Sequence, residues 1–303
     1  MNPTVLLDIR PTIAAALRDR QPVVALESSV IAHGLPWPAN LETARQAEAA
    51  ARGAGAVPAT IAVLNGTATI GLTDAELETL AQSKDVVKVS RRDLAGAIAR
   101  GQTAATTVAA TMYLAHRAGL RFFATGGIGG AHRDCHETWD ISADLLELAR
   151  VPVAVVCAGA KSILDIPRTL ELLETFSVPV IGYQTNEFPA FHMRTSGEPL
   201  SVRADSPEEA AAIVSCHWQL DGAGVVVAQP VAEEAALQAN EFAAALREAE
   251  AHADRTGVRG PALTPFLLAR LAEITEGRTL HANQELIIAN ARLAAEIAKV
   301  LPE

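Results

Sequence analysis

Lys161 follows an almost wholly apolar run, residues 151–160. If that run is a buried strand of a parallel sheet, the amine is carried to the carboxyl edge of the sheet, where open α/β proteins bind ligands. Desolvation of a lysine favours the neutral amine, which can attack a carbonyl or anomeric carbon. The alternative is a lysine at a helix start, whose stem packs while its head group reaches water.

Two other charged side chains stand at the ends of apolar runs. Glu27 follows residues 22–26 and precedes two serines and a glycine turn, which suits a general acid or a carboxylate that fixes the turn. Lys88 lies in the run 86–89 and begins the basic segment Lys88-Val-Ser-Arg-Arg-Asp93. This segment is either a phosphate-binding element or a solvated basic turn.

A glycine-rich segment, Thr125-Gly-Gly-Ile-Gly-Gly130, follows the apolar run 121–124. Glycines after a strand let backbone N–H groups approach a phosphate or carboxylate closely, because no Cβ intervenes. The spacing matches neither the GxGxxG dinucleotide motif nor a Walker A loop. The segment is therefore either a ligand-binding loop or a tight structural turn.

Asp140, Ser142 and Asp144 follow this loop, with His132 between the loop and them. We expect the two carboxylates, four residues apart, to share one helix face. Asp140 then suits a divalent cation such as Mg²⁺ or Mn²⁺, whereas Ser142 and Asp144 suit a sugar or phosphate group. The alternative is an N-capping aspartate with a solvated partner.

The elements that must position these side chains alternate along the chain. Strands are predicted at 22–26, 60–64, 86–89, 121–124, 153–156, 178–181 and 224–228. Helices are predicted at 9–18, 41–53, 74–82, 94–100, 106–118, 162–176, 207–220, 233–253, 265–275 and 282–301. The alternation predicts an α/β/α layered fold with a largely parallel central sheet, in a single domain over residues 1–303. Residues 183–203 break the pattern and are expected to form an excursion or lid.

Parallel strands place their carboxyl ends along one edge of a sheet. Glu27, Lys88, the glycines 126–130 and Lys161 each fall near the end of a different predicted strand. We therefore expect these residues to meet in one site.

Charge and cysteine content argue against several classes of protein. The formal net charge of −10 argues against a nucleic-acid-binding or anionic-membrane surface, since both need a basic footprint. The three cysteines, Cys135, Cys157 and Cys216, show no CxxC spacing, which predicts neither a zinc finger nor a disulfide framework. Early charges and the lack of an apolar run of ~20 residues predict a cytoplasmic protein without a membrane span.

A series of long motifs resembles the pseudouridine-5′-phosphate glycosidase family, which includes the indigoidine synthase A-like proteins. The resemblance runs from about Pro22 to the final helix and includes Thr264-Pro-Phe-Leu-Leu-Ala-Arg270. The motifs that carry it are Glu27-Ser-Ser-Val-Ile-Ala-His-Gly-Leu-Pro-Trp-Pro, Lys88-Val-Ser-Arg-Arg-Asp-Leu, Thr106-Thr-Val-Ala-Ala-Thr, Thr125-Gly-Gly-Ile-Gly-Gly-Ala-His-Arg, Asp140-Ile-Ser-Ala-Asp-Leu, Cys157-Ala-Gly-Ala-Lys-Ser-Ile-Leu-Asp and Gly182-Tyr-Gln-Thr.

The resemblance implies an α/β/α fold, a homotrimer, one Mn²⁺ per subunit and reversible cleavage of the C–C glycosidic bond of pseudouridine 5′-phosphate to uracil and ribose 5-phosphate. It implies that Lys161 is the covalent nucleophile, Glu27 the proton donor and Asp140 the metal ligand. Substrate contacts are implied for Lys88, Val108, Ser142, Ala143 and Asp144, and further for Thr125, His132 and a C-terminal asparagine, Asn283 or Asn290.

The C–C bond cleavage that the resemblance implies explains why the site would need a lysine. A carbon leaving group has no lone pair to protonate, so the two-carboxylate chemistry of ordinary glycosidases does not suffice. An amine that opens the ribose to an imine provides an electron sink at C1′.

Two segments, Asp134-Cys-His-Glu137 and Phe191-His-Met-Arg194, depart from the family pattern. If they line the base pocket, the ribose-phosphate chemistry is compatible with another aromatic acceptor, and a C-glycosynthase is the alternative function. A non-catalytic sugar-phosphate sensor is a second alternative, but it should lack the lysine or the glutamate. A PLP-dependent lysine enzyme would need a pyridinium partner and a phosphate cup that we do not identify in the sequence.

Overall fold

The computed structural model describes residues 7–259 and 263–301. Within these residues, strands β1 to β11 form one sheet. Their bounds are β1 Leu7–Ile9, β2 Val23–Glu27, β3 Val57–Leu64, β4 Thr67–Ile70, β5 Val87–Val89, β6 Ala104–Thr106, β7 Phe122–Ala124, β8 Ala154–Cys157, β9 Val180–Tyr183, β10 Val202–Ala204 and β11 Val225–Ala228.

The sheet is mostly parallel. Its main path runs β1-β4-β3-β2-β7-β8-β11-β9-β10. β3 is antiparallel to both β4 and β6, whereas β5 pairs in parallel with β6. The central strands β2, β7, β8 and β11 are parallel to their neighbours in the path, so their carboxyl ends share one edge.

Helices cover both faces of this sheet. Their bounds are α1 Pro11–Arg18, α2 Ala39–Gly53, α3 Asp74–Gln82, α4 Leu94–Ala99, α5 Val108–Arg117, α6 Cys135–Thr138, α7 Ala143–Leu148, α8 Ile166–Thr175, α9 Pro207–Gln219, α10 Ala239–Thr256, α11 Leu263–Ile274 and α12 Arg278–Val300. A π-helical turn, Val30–Gly34, follows β2. The expected α/β/α architecture is therefore confirmed.

The central strands are buried along their whole length, which explains why they are continuous apolar runs without alternation. Helix α12 lies across β2, β7 and β8 and also packs against α2 and α9. Its buried face is rich in alanine, which permits close approach to the sheet. A long C-terminal helix thus reaches the centre of the molecule.

Side-chain caps fix several helix starts. Thr73 and Glu76 form a capping box at α3, in which the Thr73 hydroxyl accepts a bond from the Glu76 N–H and the Glu76 carboxylate accepts one from the Thr73 N–H. The hydroxyl of Ser206 accepts a bond from the Glu209 N–H at α9. Both helix starts agree with the predicted bounds, 74–82 and 207–220.

All seven predicted strands are present, with bounds that differ by a few residues. The prediction missed β1, β4, β6 and β10, which are three or four residues long. Each of these four strands contains a polar residue, so none of them has the continuous apolar run by which the central strands were predicted. The predicted helix at 233–253 begins only at Ala239, because residues Glu233–Ala235 form a separate 3₁₀ turn.

Residues 184–201 form the expected excursion between β9 and β10. Its aromatic side chains Phe188 and Phe191 are buried, as is the ring of His192. Of the helices that the structure describes, none combines the length and the apolar composition needed to cross a membrane.

Candidate active site

Glu27 is the last residue of β2, and it is only 8% exposed. The hydroxyls of Thr125 and Ser29 donate to its two carboxylate oxygens, Oε1 and Oε2 respectively. Thr125 follows β7, the neighbouring strand, so the register of two adjacent strands fixes this carboxylate. The pair of hydroxyl donors orients Glu27 at the carboxyl edge of the sheet.

Lys161 lies four residues beyond the end of β8, after the buried segment 158–160. Its backbone N–H donates to the Ile128 carbonyl at 3.1 Å, which ties the lysine segment to the glycine-rich loop. Lys161 itself is partly exposed, whereas both residues beside it are buried. Rigid surroundings therefore present a flexible side chain to the sheet edge.

A cleft of about 510 Å³, including the open solvent at its mouth, contains both of these residues. Glu27, Lys88 and Lys161 line it together, and Asn283 from α12 completes the polar lining from the opposite side. The remaining lining residues are Ser29, Val30, His33, Gly34, Gly126, Gly127, Phe191, Thr264, Pro265, Leu268 and Ile287. The structure thus brings together the strand-end residues that the sequence led us to expect in one site.

Lys88 reaches the cleft by an unexpected route. It lies within β5 and not beyond a strand end, and β5 joins the sheet only through β6, which is antiparallel to β3. Partial desolvation lowers the pKa of Lys88, and the nearby positive charge of Lys161 lowers it further, although Glu27 and Asp144 act in the opposite direction. Lys88 is consequently better suited to give up and take back a proton than an isolated lysine is.

The glycine-rich loop forms the floor of the cleft, and two of its positions require glycine. A Cβ on Gly127 would lie 2.6 Å from Cδ2 of Phe191. A Cβ on Gly129 would overlap the hydroxyl of Ser142 and lie 2.8 Å from Oδ2 of Asp144. The loop is therefore packed directly against side chains on both of its sides, so packing within the protein requires these glycines.

The starts of α5 and α7 lie beside this loop. Asp144 is buried and accepts hydrogen bonds from the N–H of Ala109 at 2.9 Å and of Gly129 at 2.8 Å. Ser142 caps α7 by accepting a bond from the Asp144 N–H. Val108 is the first residue of α5, and Ala143 is the first of α7. Two helix N-termini therefore converge where Ser142, Ala143, Asp144 and Val108 lie, a favourable arrangement for an anion.

Thr107 precedes α5, and its side chain was not among the predicted site residues. Its hydroxyl oxygen is buried and has no hydrogen-bond partner among the described residues. A buried hydroxyl without a partner is costly.

Asp140 and His132 form a separate pair, with His132 Nε2 3.9 Å from Asp140 Oδ2. The expectation that Asp140 and Asp144 share a helix face is wrong, because α7 begins only at Ala143. Asp140 instead lies in an extended segment, and its backbone carbonyl accepts a hydrogen bond from the His132 N–H at 3.0 Å. Across residues 7–259 and 263–301, no group of three or more His, Cys, Asp or Glu side chains converges to hold a metal ion.

The two candidate asparagines of α12 have different positions. Asn283 lines the cleft, and its Oδ1 lies near Gly126. Asn290 is 1% exposed, and its side-chain amide donates to the carbonyls of Thr125 and Gly126 at 2.9 and 3.4 Å. Asn283 is thus placed to contact a ligand, whereas Asn290 holds the loop from behind.

His33 and Phe191 also line the cleft, but the sequence interpretation did not select them as site residues. Partial burial lowers the pKa of His33, and the charge of Lys88 lowers it further. His33 lies six residues after Glu27 in the same motif. This proximity in the sequence is a signal that could have indicated His33 as a site residue. Phe191 comes from the excursion, whose position cannot be inferred from local periodicity.

Known proteins are similar to this chain over nearly its whole length. The family described as "Indigoidine synthase A like protein" matches residues 12–300. The chain belongs to this indigoidine synthase A-like family.

Curated relatives of this indigoidine synthase A-like chain cover nearly its whole length. A protein of Caldanaerobacter subterraneus subsp. tengcongensis named pseudouridine-5′-phosphate glycosidase is 53% identical over 293 residues, which are 96% of this chain and 95% of the relative. One of Methylobacterium nodulans with the same name is 54% identical over 300 residues, covering 99% of this chain and 89% of the relative.

Solved structures share the fold of this family member. The prealnumycin C-glycosynthase AlnA, in complex with ribulose 5-phosphate, superposes with a TM-score of 0.91 at 43% identity, covering 99% of this chain and 98% of AlnA. An indigoidine synthase A-like protein of Thermotoga maritima superposes with a TM-score of 0.89 at 36% identity, covering 99% and 97%.

Proposed function

We propose that this protein reversibly cleaves the C–C glycosidic bond of pseudouridine 5′-phosphate to give uracil and ribose 5-phosphate. The observation that carries the proposal is that Lys161 and an oriented Glu27 line one cleft together with Lys88. An amine and a proton donor in one cleft are the groups this bond cleavage needs. Relatives that are named for this activity support the choice of substrate.

In the first step, the Lys161 amine attacks C1′ of the ribose. The new N–C1′ bond replaces the C1′–O4′ bond, and Glu27 donates a proton to the departing ring oxygen. The Thr125 and Ser29 hydroxyls hold the carboxyl group in place and stabilise the carboxylate that results.

In the second step, the ammonium nitrogen that the attack produced gives a proton to the Glu27 carboxylate. Its freed lone pair then forms a C1′=N double bond while the bond from C1′ to the uracil ring breaks. The electron pair of that bond remains on C5 of uracil, which takes up a proton. Lys88 is placed to supply this proton, because the neighbouring Lys161 and partial desolvation weaken its hold on it. Water then hydrolyses the imine, which releases ribose 5-phosphate and restores the amine.

The phosphate of the substrate is proposed to lie near the starts of α5 and α7. Amide N–H groups of the first helical turns that are not already bonded to Asp144 or Ser142 would bind its oxygen atoms there. Asp144 would take part in phosphate binding indirectly, because its carboxylate accepts hydrogen bonds from the Gly129 and Ala109 N–H groups and so holds the loop and the start of α5 in place. Lys88 contributes positive charge from the cleft side.

Asp140 is proposed to hold a Mn²⁺ ion with His132 beside it. Its side chain is 41% exposed, and one carboxylate with one imidazole in reach is a donor set that fits a largely hydrated ion. When bound, the ion supplies positive charge for the anionic substrate. Isothermal titration of Mn²⁺ into the wild type and into Asp140→Asn tests this assignment, which requires weaker binding by the variant.

A C-glycosynthase that joins ribose 5-phosphate to another aromatic ring is the second candidate. The similarity to AlnA, at 43% identity, favours it. The same lysine chemistry would serve both reactions. The proposal also includes a homotrimer and a cytoplasmic location, the latter supported by cysteines that are not in disulfides.

The deciding experiment traps the imine. Wild type and Lys161→Ala are incubated with ribose 5-phosphate and borohydride, and intact masses are compared; in parallel, pseudouridine 5′-phosphate formation is assayed with uracil and Mn²⁺. The proposal requires a Lys161-dependent ribosyl adduct and uracil turnover. An adduct without uracil turnover supports the C-glycosynthase, and the absence of any adduct refutes the covalent mechanism.

A further inference from the structure

The carboxyl ends of two strands meet beside β3. β4 pairs with residues 61–64 of β3 and therefore occupies one of its two edges. β2 and β6 must both use the other edge, because β2 pairs as far as Ile61 and β6 pairs with the two residues after it. β2 is parallel to β3 and β6 is antiparallel to it, so their last residues, Glu27 and Thr106, approach each other end to end.

The two cleft residues that are proposed to transfer protons lie on opposite sides of this junction. Glu27 ends β2. Lys88 lies in β5, where it pairs with Ala105 of β6. In the sheet that the structure describes, β2 and β6 each pair with β3 but not with each other. The placement of Lys88 relative to Glu27 therefore depends on how the ends of β2 and β6 are held together.

Side-chain hydroxyl groups bridge the junction. Oγ of Ser28, the residue after Glu27, accepts a hydrogen bond from the Thr106 N–H at 2.9 Å and lies 3.2 Å from Oγ1 of Thr106. The Thr106 hydroxyl donates its proton to the Ile61 carbonyl at 2.8 Å, so Ser28 is the donor in the hydroxyl pair. Thr111 of α5 donates to Thr106 Oγ1 at 2.9 Å.

Every hydroxyl proton of this network has an acceptor. Ser28, Thr106 and Thr111 are each 0% exposed, so bulk water does not compete for their bonds. A buried network in which each member is satisfied is rigid and specifies one arrangement. It fixes the residue after Glu27 against the strand that pairs with the strand of Lys88.

Proton transfer depends more steeply on position than charge attraction does. A general acid must come within hydrogen-bond reach of its target, and a misplacement of about 1 Å can reduce the rate about 10²-fold. The attraction between a lysine charge and a phosphate varies only with the inverse of their distance. A small displacement of Lys88 relative to Glu27 should therefore slow the reaction with little effect on substrate binding.

We propose that Ser28 and Thr106 are positioning residues, whose paired hydrogen bonds set the placement of Lys88 relative to Glu27. This inference rests on the proposed function, in which both of these cleft residues transfer protons. Neither hydroxyl needs to touch the substrate.

The test measures kcat and KM for cleavage of pseudouridine 5′-phosphate. Thr106→Val replaces the hydroxyl by a methyl group of similar size, and it should lower kcat at least about tenfold while KM changes less than about threefold. Thr106→Ser keeps the hydroxyl and should restore kcat to within about threefold of wild type. Borohydride trapping of ribose 5-phosphate on Lys161 should keep its extent in Thr106→Val, because none of the network bonds involves β8.

Two further threonines supply matched controls for the change to valine. Thr111→Val removes a hydroxyl from the same network but leaves both bonds between Ser28 and Thr106. Thr69→Val removes a buried hydroxyl from β4, where it donates to the Thr67 carbonyl at 3.2 Å. Both variants should keep kcat within about threefold of wild type. Melting curves ensure that all activities are measured on folded protein.

The second arm removes the partner hydroxyl. Ser28→Ala should lower kcat about as much as Thr106→Val, and it tests the same pair of bonds if Thr106→Val does not fold. In the double variant, kcat should fall no further than in the slower single variant, because both changes break one link. Independent effects would instead multiply.

The outcomes separate this inference from the proposed function. Wild-type protein that traps ribose 5-phosphate but does not cleave pseudouridine 5′-phosphate refutes the proposed function, and the inference with it. Cleavage by wild type with an unchanged kcat in Thr106→Val and Ser28→Ala refutes the inference alone. So does a Thr106→Ser variant as slow as Thr106→Val, an equal loss in Thr111→Val, or a rise in KM without a change in kcat.

Discussion

Lowering the pH from 7 to 5 is expected to destabilise this protein through His192. Burial lowers the pKa of this histidine from 6.5 to about 3. The ring contacts the Ser162 hydroxyl and two phenylalanine rings. An imidazolium there would lack solvation, so the folded state keeps the ring neutral at pH 5.

The unfolded chain takes up this proton as the pH falls below 6.5. The contribution of His192 to stability is therefore complete above pH 6.5 and is lost as the pH falls towards 3. The loss amounts to about 1.4 kcal/mol per pH unit well below the unfolded pKa. Between pH 7 and pH 5 it sums to about 2 kcal/mol.

Urea denaturation at pH 7 and pH 5 measures this loss in wild type and in His192→Asn. The protein concentration is held constant, because the apparent stability of an oligomer depends on it. His33 and His217 also have pKa values lowered by burial, but both variants contain them, so their effect cancels. Substitution of an exposed histidine, His116→Asn, is the control.

The free energy of unfolding of His192→Asn should depend on pH less strongly than that of wild type, by about 2 kcal/mol over this interval. Only the pH dependence is compared, so a difference in stability between the two proteins at pH 7 does not affect the result. An identical pH dependence in the two proteins would refute the argument from burial. So would an equal change in the His116→Asn control.

Three further substitutions test the packing around the site. Gly129→Ala should raise the KM for ribose 5-phosphate and reduce stability by about 1–3 kcal/mol, because its Cβ would overlap the side chain of Ser142 at the start of α7. The control is Gly96→Ala, which has open space at its Cβ and should be stabilising in thermal melts. Arg91→Met should lower the free energy of unfolding, measured by urea denaturation, by about 2 kcal/mol, because Arg91 is the ion-pair partner of the buried Glu147. Adding Glu147→Gln to this variant should recover part of the loss, because it removes the unpaired buried charge. Burial raises the pKa of the Cys157 thiol to about 12. Mass spectrometry should therefore find Cys157 unlabelled by iodoacetamide at pH 8, whereas the exposed Cys216 reacts. Labelling of Cys157 in the folded protein contradicts this account.

The sequence located most of the site because the relevant signals are local. Continuous apolar runs predicted the buried parallel strands, and Glu27 and Lys161 stand directly after or close to such runs. Where a short strand contains polar residues and no continuous apolar run, as in β6 and β10, the prediction failed. The strand that connects Lys88 to the main sheet was one of these.

The sequence by itself determined the fold class and the residue types at the strand ends, since both depend on hydrophobic periodicity and nearest-neighbour chemistry. Only the tertiary structure decided that Asn283 and not Asn290 faces the cleft, and that α7 begins after Asp140. It also decided that Phe191 packs on Gly127, although 64 residues separate them in the chain. Such contacts depend on how distant segments pack together, which no local pattern of side chains encodes.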